Sequence, residues 1–569
     1  MFCAAGHKEE SILTAQIDPR APSLSGPGEP FEIVEQMVNG RLMRVFARTN
    51  GTLSMLFSMM PALGDVDFVV DGDRRISYAA FHAQAGAIAA GFAAQYDLKP
   101  GDRVALAMHN SPEWMYAFTA LSALGTVPAL INSRGSGEEM RYCTEDVGAS
   151  LVVADARRAE ALAQAGYEGP VVVFDEAAFD AMAHEYAGKP LPQNTADADD
   201  ACCILFTSGT TGRPKGAIIS HRAMLTGVFM AQHAGARFAA RVAAQMGIDV
   251  QTFMAARPRS AVFLIFPLFH VSGCQQIFLG VLARGGKIVF HRRWNPAEAL
   301  RLIEQEKITE FTGPPMTLWD VLNEPTRAER DLSSLGSIAS GGQALPINLL
   351  NELRKAFPNR IFGGGYGMTE TSGSVSLAMG ELFTNRPECS GVMHDLADMR
   401  VVDDDGNPLP AGEVGEISVR GPMLMSGYWG KPEETAKTMD VDGWLRTGDI
   451  GVVDESGYVA IVDRKTNMVI CKGENIYCAE IERVISDHAD VADVAAFGIL
   501  DDRVGERLAV AVVAQPGKSL TEDQVRQQVR DHLAEYKVPT DVFLREDPLP
   551  RNATGKVDRQ VLRRELGLI

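Results

Sequence analysis

The sequence has few cysteines and no long hydrophobic run. Eight cysteines are scattered through 569 residues and none forms a CxxC pair, which argues against a disulfide framework and favours a reducing compartment. The longest apolar stretches, 115–131 and 261–269, are too short or too interrupted by Ser, Thr, Gly and Pro to span a bilayer. The N-terminus lacks a basic region followed by an apolar run. We therefore expect a cytoplasmic protein without a signal peptide or transmembrane segment.

The chain also has fewer basic than acidic residues. The chain carries 54 Lys and Arg residues against 73 Asp and Glu residues, for a formal net charge of -19. This balance disfavours nucleic acid as a partner, because a phosphate backbone requires a basic footprint. Any anionic ligand must therefore be held by local cations and backbone amides. Hydrophobic residues make up 46% of the chain and charged residues 22%, which is typical of a large globular protein.

The middle of the chain alternates between strand and helix patterns. GDRVALAMHN predicts a turn and a strand, and SPEWMYAFTALSAL predicts a helix with Ser111 as N-cap and Pro112 in its first turn. The same strand–helix–strand plan recurs after residues 149 and 285. Such alternation predicts an α/β fold with helix-covered parallel sheets. A smaller mixed unit follows from about residue 464, where Thr521 and Gln524 are spaced as a capping box.

A loop rich in glycine and hydroxyl side chains, FTSGTTGRPKGA at 206–217, is suited to contact phosphate. Its glycines allow tight turns, its hydroxyls donate hydrogen bonds, and its lysine offers a charge-assisted bond. It is not a P-loop, since Arg213 and Pro214 follow the second glycine, and the chain has no HRD or DFG motif of a kinase. An exposed turn is the alternative reading of this loop. The residues expected to bind phosphate are Thr207, Ser208, Gly209, Thr210, Thr211, Gly212 and Lys215.

This loop and its companion motifs together resemble the adenylate-forming superfamily, in particular its acyl-CoA synthetase and 4-coumarate-CoA-ligase-like branch. The companions are FPLFHVSG (266–273), SGGQALP (340–346), YGMTE (366–370), GEISVRGPMLMSGYW (415–429), GWLRTGDIG (443–451), DRKTNMVICKGENIYCAEIE (463–482) and LPRNATGKVDR (549–559). The resemblance covers nearly the whole chain. It implies an N-terminal extension (1–50), a large multi-subdomain adenylation domain (51–463) and a small mobile C-terminal α+β domain (464–569).

The resemblance also assigns roles to single residues. Lys556 resembles the lysine that bridges the substrate carboxylate and the α-phosphate, His270 the histidine near that carboxylate, and Thr369 a phosphate contact. Glu370 resembles the magnesium ligand. The nucleotide would also contact Gly342, Tyr366, Gly367, Asp449 and Arg464. Without the surrounding motifs, each of these residues could equally have a purely structural role, such as that of a surface lysine or a core histidine.

The remaining assignments concern the acyl group, CoA and the hinge. Phe269, Gly313 and Gly364 are expected to line the acyl pocket, and the glycines of FGGGYG suggest a roomy wall. Lys472 and Gly473 resemble the family's lysine–glycine pair beside the pantetheine tunnel. Thr466 stands at the hinge position, where relatives usually carry Lys or Asp, so its charge contacts must differ.

We therefore expect an ATP- and Mg²⁺-dependent acid–CoA ligase that forms an acyl-AMP and then an acyl-CoA thioester. The expected substrate is a medium- or long-chain fatty acid or another bulky apolar acid. The alternatives are an aryl-propenoate ligase, an acyl-AMP ligase that loads a carrier protein, and a non-catalytic acyl-nucleotide-binding protein. FPLFHVSG has no aspartate for a substrate amine, which argues against an amino acid substrate. A homodimer is one assembly that the sequence allows.

Overall fold

A computed structural model describes residues 24–207, 213–341, 345–471, 474–501, 503, 505–552 and 556–569. Within these residues no helix is both long enough and apolar enough to cross a membrane. The strands, in chain order, are β1 Ile33–Val38, β2 Arg41–Phe46, β3 Asp67–Asp71, β4 Arg74–Ser77, β5 Arg103–Ala107, β6 Val127–Leu130, β7 Leu151–Ala154, β8 Val171–Val173, β9 Ala201–Thr207, β10 Lys215–Ser220, β11 Ala261–Leu264, β12 Lys287–Phe290, β13 Glu310–Gly313, β14 Ser337–Ser340, β15 Ile361–Met368, β16 Gly373–Met379, β17 Val392–Met393, β18 Asp398–Val402, β19 Gly415–Arg420, β20 Gly427–Tyr428, β21 Leu445–Val453, β22 Val459–Arg464, β23 Val469–Cys471, β24 Glu474–Ile476, β25 Val491–Asp501, β26 Gly505–Ala514 and β27 Asp541–Arg545.

The α-helices are α1 Ser54–Phe57, α2 Met60–Leu63, α3 Tyr78–Gln95, α4 Pro112–Ala123, α5 Gly137–Asp146, α6 Ala156–Gln164, α7 Glu176–Glu185, α8 His221–Met246, α9 Val250–Ala255, α10 Gly280–Arg284, α11 Pro296–Glu306, α12 Pro315–Asn323, α13 Ile347–Ala356, α14 Glu381–Thr384, α15 Pro432–Thr438, α16 Cys478–Ser486, α17 Glu522–Arg530 and α18 Arg559–Glu565. A π-helix spans Ser272–Leu279. Short 3-10 turns lie at Ala47–Thr49, Pro325–Glu329, Thr369–Thr371, Lys465–Asn467 and Glu535–Lys537.

Two large sheets form most of the N-terminal part. One has the strand order β20-β10-β9-β6-β5-β7-β8, and the other has the order β17-β16-β15-β14-β13-β11-β12-β3-β4. The strand–helix repeats of the sequence become parallel pairs, such as β5 with β6 and β7 with β8, and in the repeat after residue 285 the strands β12 and β13 each pair in parallel with β11. The predicted cap is confirmed, since the Ser111 side chain accepts from the Trp114 N–H at the start of α4. The α/β fold class is therefore confirmed.

A shared aromatic core fixes the two large sheets against each other. Phe68 on β3 packs edge-on against Phe81 on α3, with ring centroids 5.1 Å apart. Phe278 of the π-helix lies 6.2 Å from Phe68 and 6.0 Å from Phe118 on α4. All four rings are almost fully buried. Because aromatic side chains bury large areas, this cluster packs β3, α3, α4 and the π-helix into one unit.

Two smaller sheets complete the chain. The order β18-β19-β21-β22 forms an antiparallel sheet, and β24-β23-β26-β25, with β27 beside β26, forms the sheet of the small C-terminal domain. The predicted capping box is present at α17, where Thr521 and Gln524 exchange side-chain and backbone hydrogen bonds. The turn from β22 through Lys465–Asn467 to β23 connects the two sheets. The boundary predicted at 463/464 falls at the end of β22, just before this turn, and stays a prediction.

Candidate active site

Residues from four distant parts of the sequence meet in one crevice. His270 follows β11, Glu370 lies in the 3-10 turn after β15, Asp449 lies on β21, and Lys556 belongs to the C-terminal domain. The charges of Asp449 and Glu370 act on the ammonium group of Lys556, whose own charge acts on His270. The structure thus brings together residues that the sequence separates by up to 286 positions, from His270 to Lys556.

Asp449 is held from two sides. The Tyr366 hydroxyl donates to Oδ2 of Asp449 at 2.7 Å, and Nε of Arg464 lies 3.0 Å from Oδ1. Asp449 and Arg464 are cross-strand neighbours on β21 and β22, whereas Tyr366 comes from β15 in another sheet. The carboxylate is buried and fixed in orientation. Each carboxylate oxygen has further lone pairs, so a vicinal diol can still donate to it.

Lys556 lies beside the crevice on a short turn. Its N–H donates to Oδ1 of Asn552 at 3.1 Å, and its carbonyl accepts from the Asn552 N–H at 2.8 Å. Although part of the residue is exposed, desolvation of the ammonium group by the surrounding protein lowers its pKa. The charge of Arg464 lowers it further, while Asp449 and Glu370 raise it. A cation in this position is available to an anion that enters the crevice.

His270 begins a distorted helix. Its Nδ1 accepts from the Ser272 N–H at 3.3 Å, and the π-helix follows directly. Burial lowers the pKa of His270 to about 4, and the charge of Lys556 acts in the same direction. The imidazole is therefore neutral at physiological pH, and with Nδ1 accepting, its proton is on Nε2. The ring can donate a hydrogen bond from Nε2. π-helical turns are rare and often occur at functional sites.

Glu370, the predicted metal ligand, is a buried carboxylate with a side-chain hydrogen bond. The residue is buried, the Tyr428 hydroxyl donates to its Oε1 at 2.8 Å, and among the described residues no ion pair involves this carboxylate. Desolvation raises its pKa, and the hydrogen bond from Tyr428 opposes that shift. No group of three or more His, Cys, Asp or Glu side chains suited to a metal occurs in the described part of the chain. The single buried carboxylate of Glu370 fits Mg²⁺, which prefers one or two carboxylates with phosphate oxygens and water.

Only the two ends of the predicted phosphate loop are described. Thr207 ends β9 and Lys215 begins β10, and these two residues are paired across the antiparallel strands. Nζ of Lys215 lies 2.6 Å from Oε2 of Glu434 and 5.1 Å from the ring centroid of Tyr428. The structure therefore gives Lys215 a carboxylate partner that the sequence analysis did not foresee. Ser208, Gly209, Thr210, Thr211 and Gly212 lie outside the described residues.

The predicted nucleotide and phosphate contacts on β15 are closely packed. A Cβ on Gly367 would lie 2.0 Å from the carbonyl oxygen of Gly373, so this position accepts only glycine. Thr369 is buried directly beside Glu370. Gly342 of the SGGQALP motif lies outside the described residues.

Of the predicted acyl-pocket residues, Gly313 lies on β13 and Gly364 on β15 of the nine-stranded sheet, and Phe269 lies in the turn after β11. Phe269 is buried, and a Cβ on Gly313 would lie 2.4 Å from Oγ1 of Thr317. A Cβ on Gly364 would lie 3.0 Å from Cε2 of Phe383. The ring of Phe383 therefore bounds the space that the missing side chain leaves at Gly364. The roomy pocket stays a prediction.

The predicted hinge region has charge contacts of its own. Thr466 lies in the 3-10 turn Lys465–Asn467, and Nζ of the preceding Lys465 lies 2.7 Å from Asp404 and 3.5 Å from Glu416. These contacts come from the β18–β19 sheet of the N-terminal part. Lys472 and Gly473, predicted to contact CoA, lie outside the described residues.

Two residues of the site were missed from the sequence. Tyr428 lies within the motif at 415–429 but was not singled out, and Glu434 lies beyond that motif. From the sequence, a tyrosine in a strand is expected to be a core side chain, and a glutamate in EET is expected to lie in the first turn of a helix. The pairing of β20 with β10 brings Tyr428 beside Lys215, and Glu434 on α15 pairs with the same lysine, contacts that only the fold reveals.

Comparisons with known proteins identify the family of this chain. The family model for AMP-binding enzymes matches residues 61–429, and the model for the AMP-binding enzyme C-terminal domain matches residues 480–556. A feruloyl-CoA synthase from an Amycolatopsis species is 32% identical over 87% of this chain and 95% of its own. A methyl-dioxo-octahydroindenyl-propanoyl:CoA ligase from Mycobacterium tuberculosis is 34% identical over 89% of this chain and 96% of its own.

Solved structures show the same architecture. The o-succinylbenzoate CoA synthetase of Bacillus subtilis, in complex with its acyl-adenylate, has a TM-score of 0.74 at 26% identity and covers 89% of this chain and 97% of its own. ATP-bound MatB from Rhodopseudomonas palustris has a TM-score of 0.77 at 28% identity, with coverages of 90% and 98%. With both domains matched and the crevice assembled between them, the chain belongs to the AMP-binding, adenylate-forming enzymes, as an AMP-forming acid–CoA ligase that uses ATP, Mg²⁺ and CoA.

Proposed function

We propose that this ligase activates a bulky, ring-bearing apolar carboxylic acid, and that the crevice residues carry out both half-reactions. The observation that supports this role most strongly is the meeting of Lys556 with His270, Glu370, Asp449 and Arg464. A carboxylate is a poor electrophile because its leaving group would be oxide. Transfer to AMP turns that oxygen into part of a good leaving group.

Lys556 and His270 would bring the two anions of the first half-reaction together. The Lys556 ammonium draws the substrate carboxylate and the α-phosphate to one point, and its charge offsets the charge that accumulates as they approach. A lysine suits this task because it is a compact point charge on a flexible stem. Neutral His270 donates from Nε2 to the substrate carboxylate. It orients that carboxylate without adding a second positive charge.

Glu370 would hold the metal, and Thr369 would contact the phosphates beside it. When bound, Mg²⁺ neutralises phosphate charge and fixes the triphosphate orientation. The Glu370 carboxylate supplies a fixed anionic ligand from a buried position. Thr207 and Lys215, at the ends of the phosphate loop, would contact the outer phosphates.

Asp449 would accept hydrogen bonds from both ribose hydroxyls. The Tyr366 hydroxyl and Arg464 fix the carboxylate in advance, which reduces the entropic cost of binding the nucleotide. The Tyr366 ring would lie against adenine. In the second half-reaction, rotation about Thr466 would remove Lys556 from the crevice and admit the CoA thiol, which attacks the acyl carbon and releases AMP.

The substrate class rests on relatives and on one packing detail. The similar ligases act on feruloyl and octahydroindenyl-propanoyl groups, and a 33% identical relative from rice is a 4-coumarate–CoA ligase. The Phe383 ring next to Gly364 bounds one side of the predicted pocket. Both facts favour a compact, ring-bearing acid over an extended fatty chain. Aryl-propenoic and polycyclic propanoic acids are the two candidate groups.

The test is a panel of aryl-propenoic, polycyclic propanoic and fatty acids, each assayed for pyrophosphate release with and without CoA. We expect the highest kcat/KM with a ring-bearing acid and a CoA thioester as product. Highest activity with a long-chain fatty acid would overturn the substrate proposal. Pyrophosphate release without thioester would instead favour an enzyme that loads a carrier protein.

We also propose a cytoplasmic location. All seven cysteines among the described residues are free, and six of them are buried. Free thiols at this density fit a reducing compartment. The homodimer stays a prediction. It is tested by measuring the oligomeric state of the protein in solution.

A further inference from the structure

One short segment joins the phosphate loop to Glu370. Strand β20 pairs antiparallel with β10, where Ala217 is opposite Tyr428. On the same segment, the Met425 N–H donates to the carbonyl oxygen of Glu370 at 2.8 Å. The Tyr428 hydroxyl donates to Oε1 of the same Glu370 at 2.8 Å. The segment 425–428 therefore holds Glu370 by both its backbone and its side chain.

The Tyr428 ring carries a second contact. Nζ of Lys215, at the end of the phosphate loop, lies 5.1 Å from the ring centroid and is itself paired with Glu434 at 2.6 Å. The ring is thus attracted to the lysine cation, while its hydroxyl is bound to the glutamate. One side chain contacts both the loop end and the carboxylate.

We propose that Tyr428 is a positioning residue for the metal, which fixes Glu370 so that Oε2 faces the cation, and which links that orientation to the phosphate loop through Lys215. The inference rests on the proposed metal role of Glu370. Tyr428 does not touch the reacting atoms and acts only through these two neighbours.

Two features of the site support this role. The Tyr428 N–H donates to Oγ1 of Thr435 at 2.9 Å, which holds its backbone against α15. Both Tyr428 and Glu370 are buried, so water competes little for the hydrogen bond between them. Groups that orient a metal ligand commonly affect metal affinity by about 10- to 100-fold.

The first experiment measures metal binding apart from catalysis. Mn²⁺ is titrated into Tyr428→Phe in the presence of α,β-methylene-ATP, with binding followed by water-proton relaxation. We expect the Mn²⁺ dissociation constant to rise about 10-fold or more, because the ring is kept and only the hydroxyl is lost. The matched control is Tyr78→Phe, which removes a buried hydroxyl that donates to the Gly286 carbonyl at 2.9 Å, away from the crevice. An unchanged dissociation constant in Tyr428→Phe would overturn the inference.

A second experiment separates this inference from the role of Glu370. We expect Glu370→Gln to weaken Mn²⁺ binding and to make Tyr428→Phe without further effect in the double variant. If Glu370→Gln leaves Mn²⁺ binding unchanged, the metal role itself is wrong. If Glu370→Gln weakens binding but the effect of Tyr428→Phe simply adds to it, Tyr428 does not act through Glu370 and this inference fails.

A third variant tests the hydrogen bond directly. Incorporation of 4-aminophenylalanine at position 428 keeps the ring and a donor at the same place, and we expect it to restore Mn²⁺ affinity to within about threefold of the original protein, since its N–H replaces the O–H donor. If Tyr428→Phe does not fold, comparison of the 4-amino and 4-methoxy side chains at this position takes its place. Equal Mn²⁺ affinity of the two would contradict the role of the donor.

Discussion

Gly227 on α8 lies against the backbone of Ser372, so close that a Cβ on Gly227 would be 2.1 Å from the Ser372 carbonyl oxygen and 2.3 Å from Nε2 of Gln275. Ser372 follows the turn that carries Glu370, and Gln275 lies in the π-helix that follows His270. The contact therefore joins the two segments that present the metal ligand and the histidine. Ser372 itself has a left-handed backbone, with φ 45°.

We predict that Gly227→Ala displaces these two segments. The added methyl group cannot be accommodated without a backbone shift, which we expect to cost about 1–3 kcal/mol of stability and to lower adenylation activity. Thermal unfolding and pyrophosphate release measure the two effects.

The same helix offers a matched control for this substitution. Gly235 has no atom within 4 Å of the place of its Cβ. Gly235→Ala should raise stability by about 0.5–1 kcal/mol, since alanine is the better helix former. Equal stability of the two variants would contradict the packing argument.

Lys556 should matter for one half-reaction only. Lys556→Ala is expected to lower the rate of acyl-AMP formation by about 100-fold or more, because a preorganised charge beside the transferring phosphoryl group is lost. Thioester formation from synthetic acyl-AMP should change little. Lys537→Ala is the control in the same domain, since Lys537 pairs with Glu480 at 2.6 Å. Equal loss in both half-reactions would show that Lys556 acts through the structure of the domain.

Asp449→Asn should weaken nucleotide binding. The substitution removes the charge that binds Arg464 and the expected ribose contacts. Hydrogen bonds to charged groups contribute about 1.5–3 kcal/mol, so we expect KM for ATP to rise about 10-fold or more. Asp454→Asn, which removes the partner of Arg386, should leave KM for ATP unchanged. A change in KM for the acid alone would point to a different role for Asp449.

The activity that depends on His270 should not titrate near neutral pH. Because the pKa of His270 is lowered to about 4, its protonated form accumulates only as the pH falls toward that value. The ratio of adenylation rates between the original protein and His270→Gln should therefore be constant from about pH 5.5 to 8. A ratio that falls as the pH passes below 6.5 would mean that His270 has an ordinary pKa.

A second buried histidine should make the fold acid-sensitive. His221, at the start of α8, accepts from the Leu53 N–H at 3.2 Å, and burial lowers its pKa to about 4. Between about pH 6.5 and 4 the unfolded chain binds a proton there that the folded chain does not, so protonation favours unfolding. The contribution of His221 to the free energy of unfolding therefore decreases as the pH falls.

The size of this effect can be measured by difference. Between pH 6.5 and 5, the free energy of unfolding measured with urea should fall by about 1–2 kcal/mol more in the original protein than in His221→Gln. The difference between the two proteins isolates His221 from the carboxylates that titrate in the same range. An identical pH dependence of the two would contradict the lowered pKa.

Much of the site could be predicted from the sequence, because its residues lie in distinctive sequence motifs. His270, Glu370, Asp449 and Lys556 were each expected on their motifs, and the structure places them around one crevice. The α/β fold followed from the alternation of strand and helix patterns. Those patterns are local, so they are readable without knowledge of the contacts.

The contacts themselves could not be predicted. The link between Tyr428, Lys215 and Glu370 depends on the pairing of β20 with β10, which are more than 200 residues apart. The π-helix after His270 differs from an α-helix by one hydrogen-bond register, for which SGCQQIFL gives no signal. The acyl pocket depends on which ring lies opposite each glycine, as with Phe383 at Gly364.

The proposed reaction is the AMP-forming synthesis of a CoA thioester from a ring-bearing acid. The most direct measurement mixes the protein with an aryl-propenoic acid, ATP, Mg²⁺ and CoA, and quantifies AMP, pyrophosphate and thioester by chromatography. We expect equal amounts of all three products, and acyl-AMP as the product when CoA is left out. Formation of ADP and phosphate, or of acyl-AMP without thioester in the presence of CoA, would contradict it.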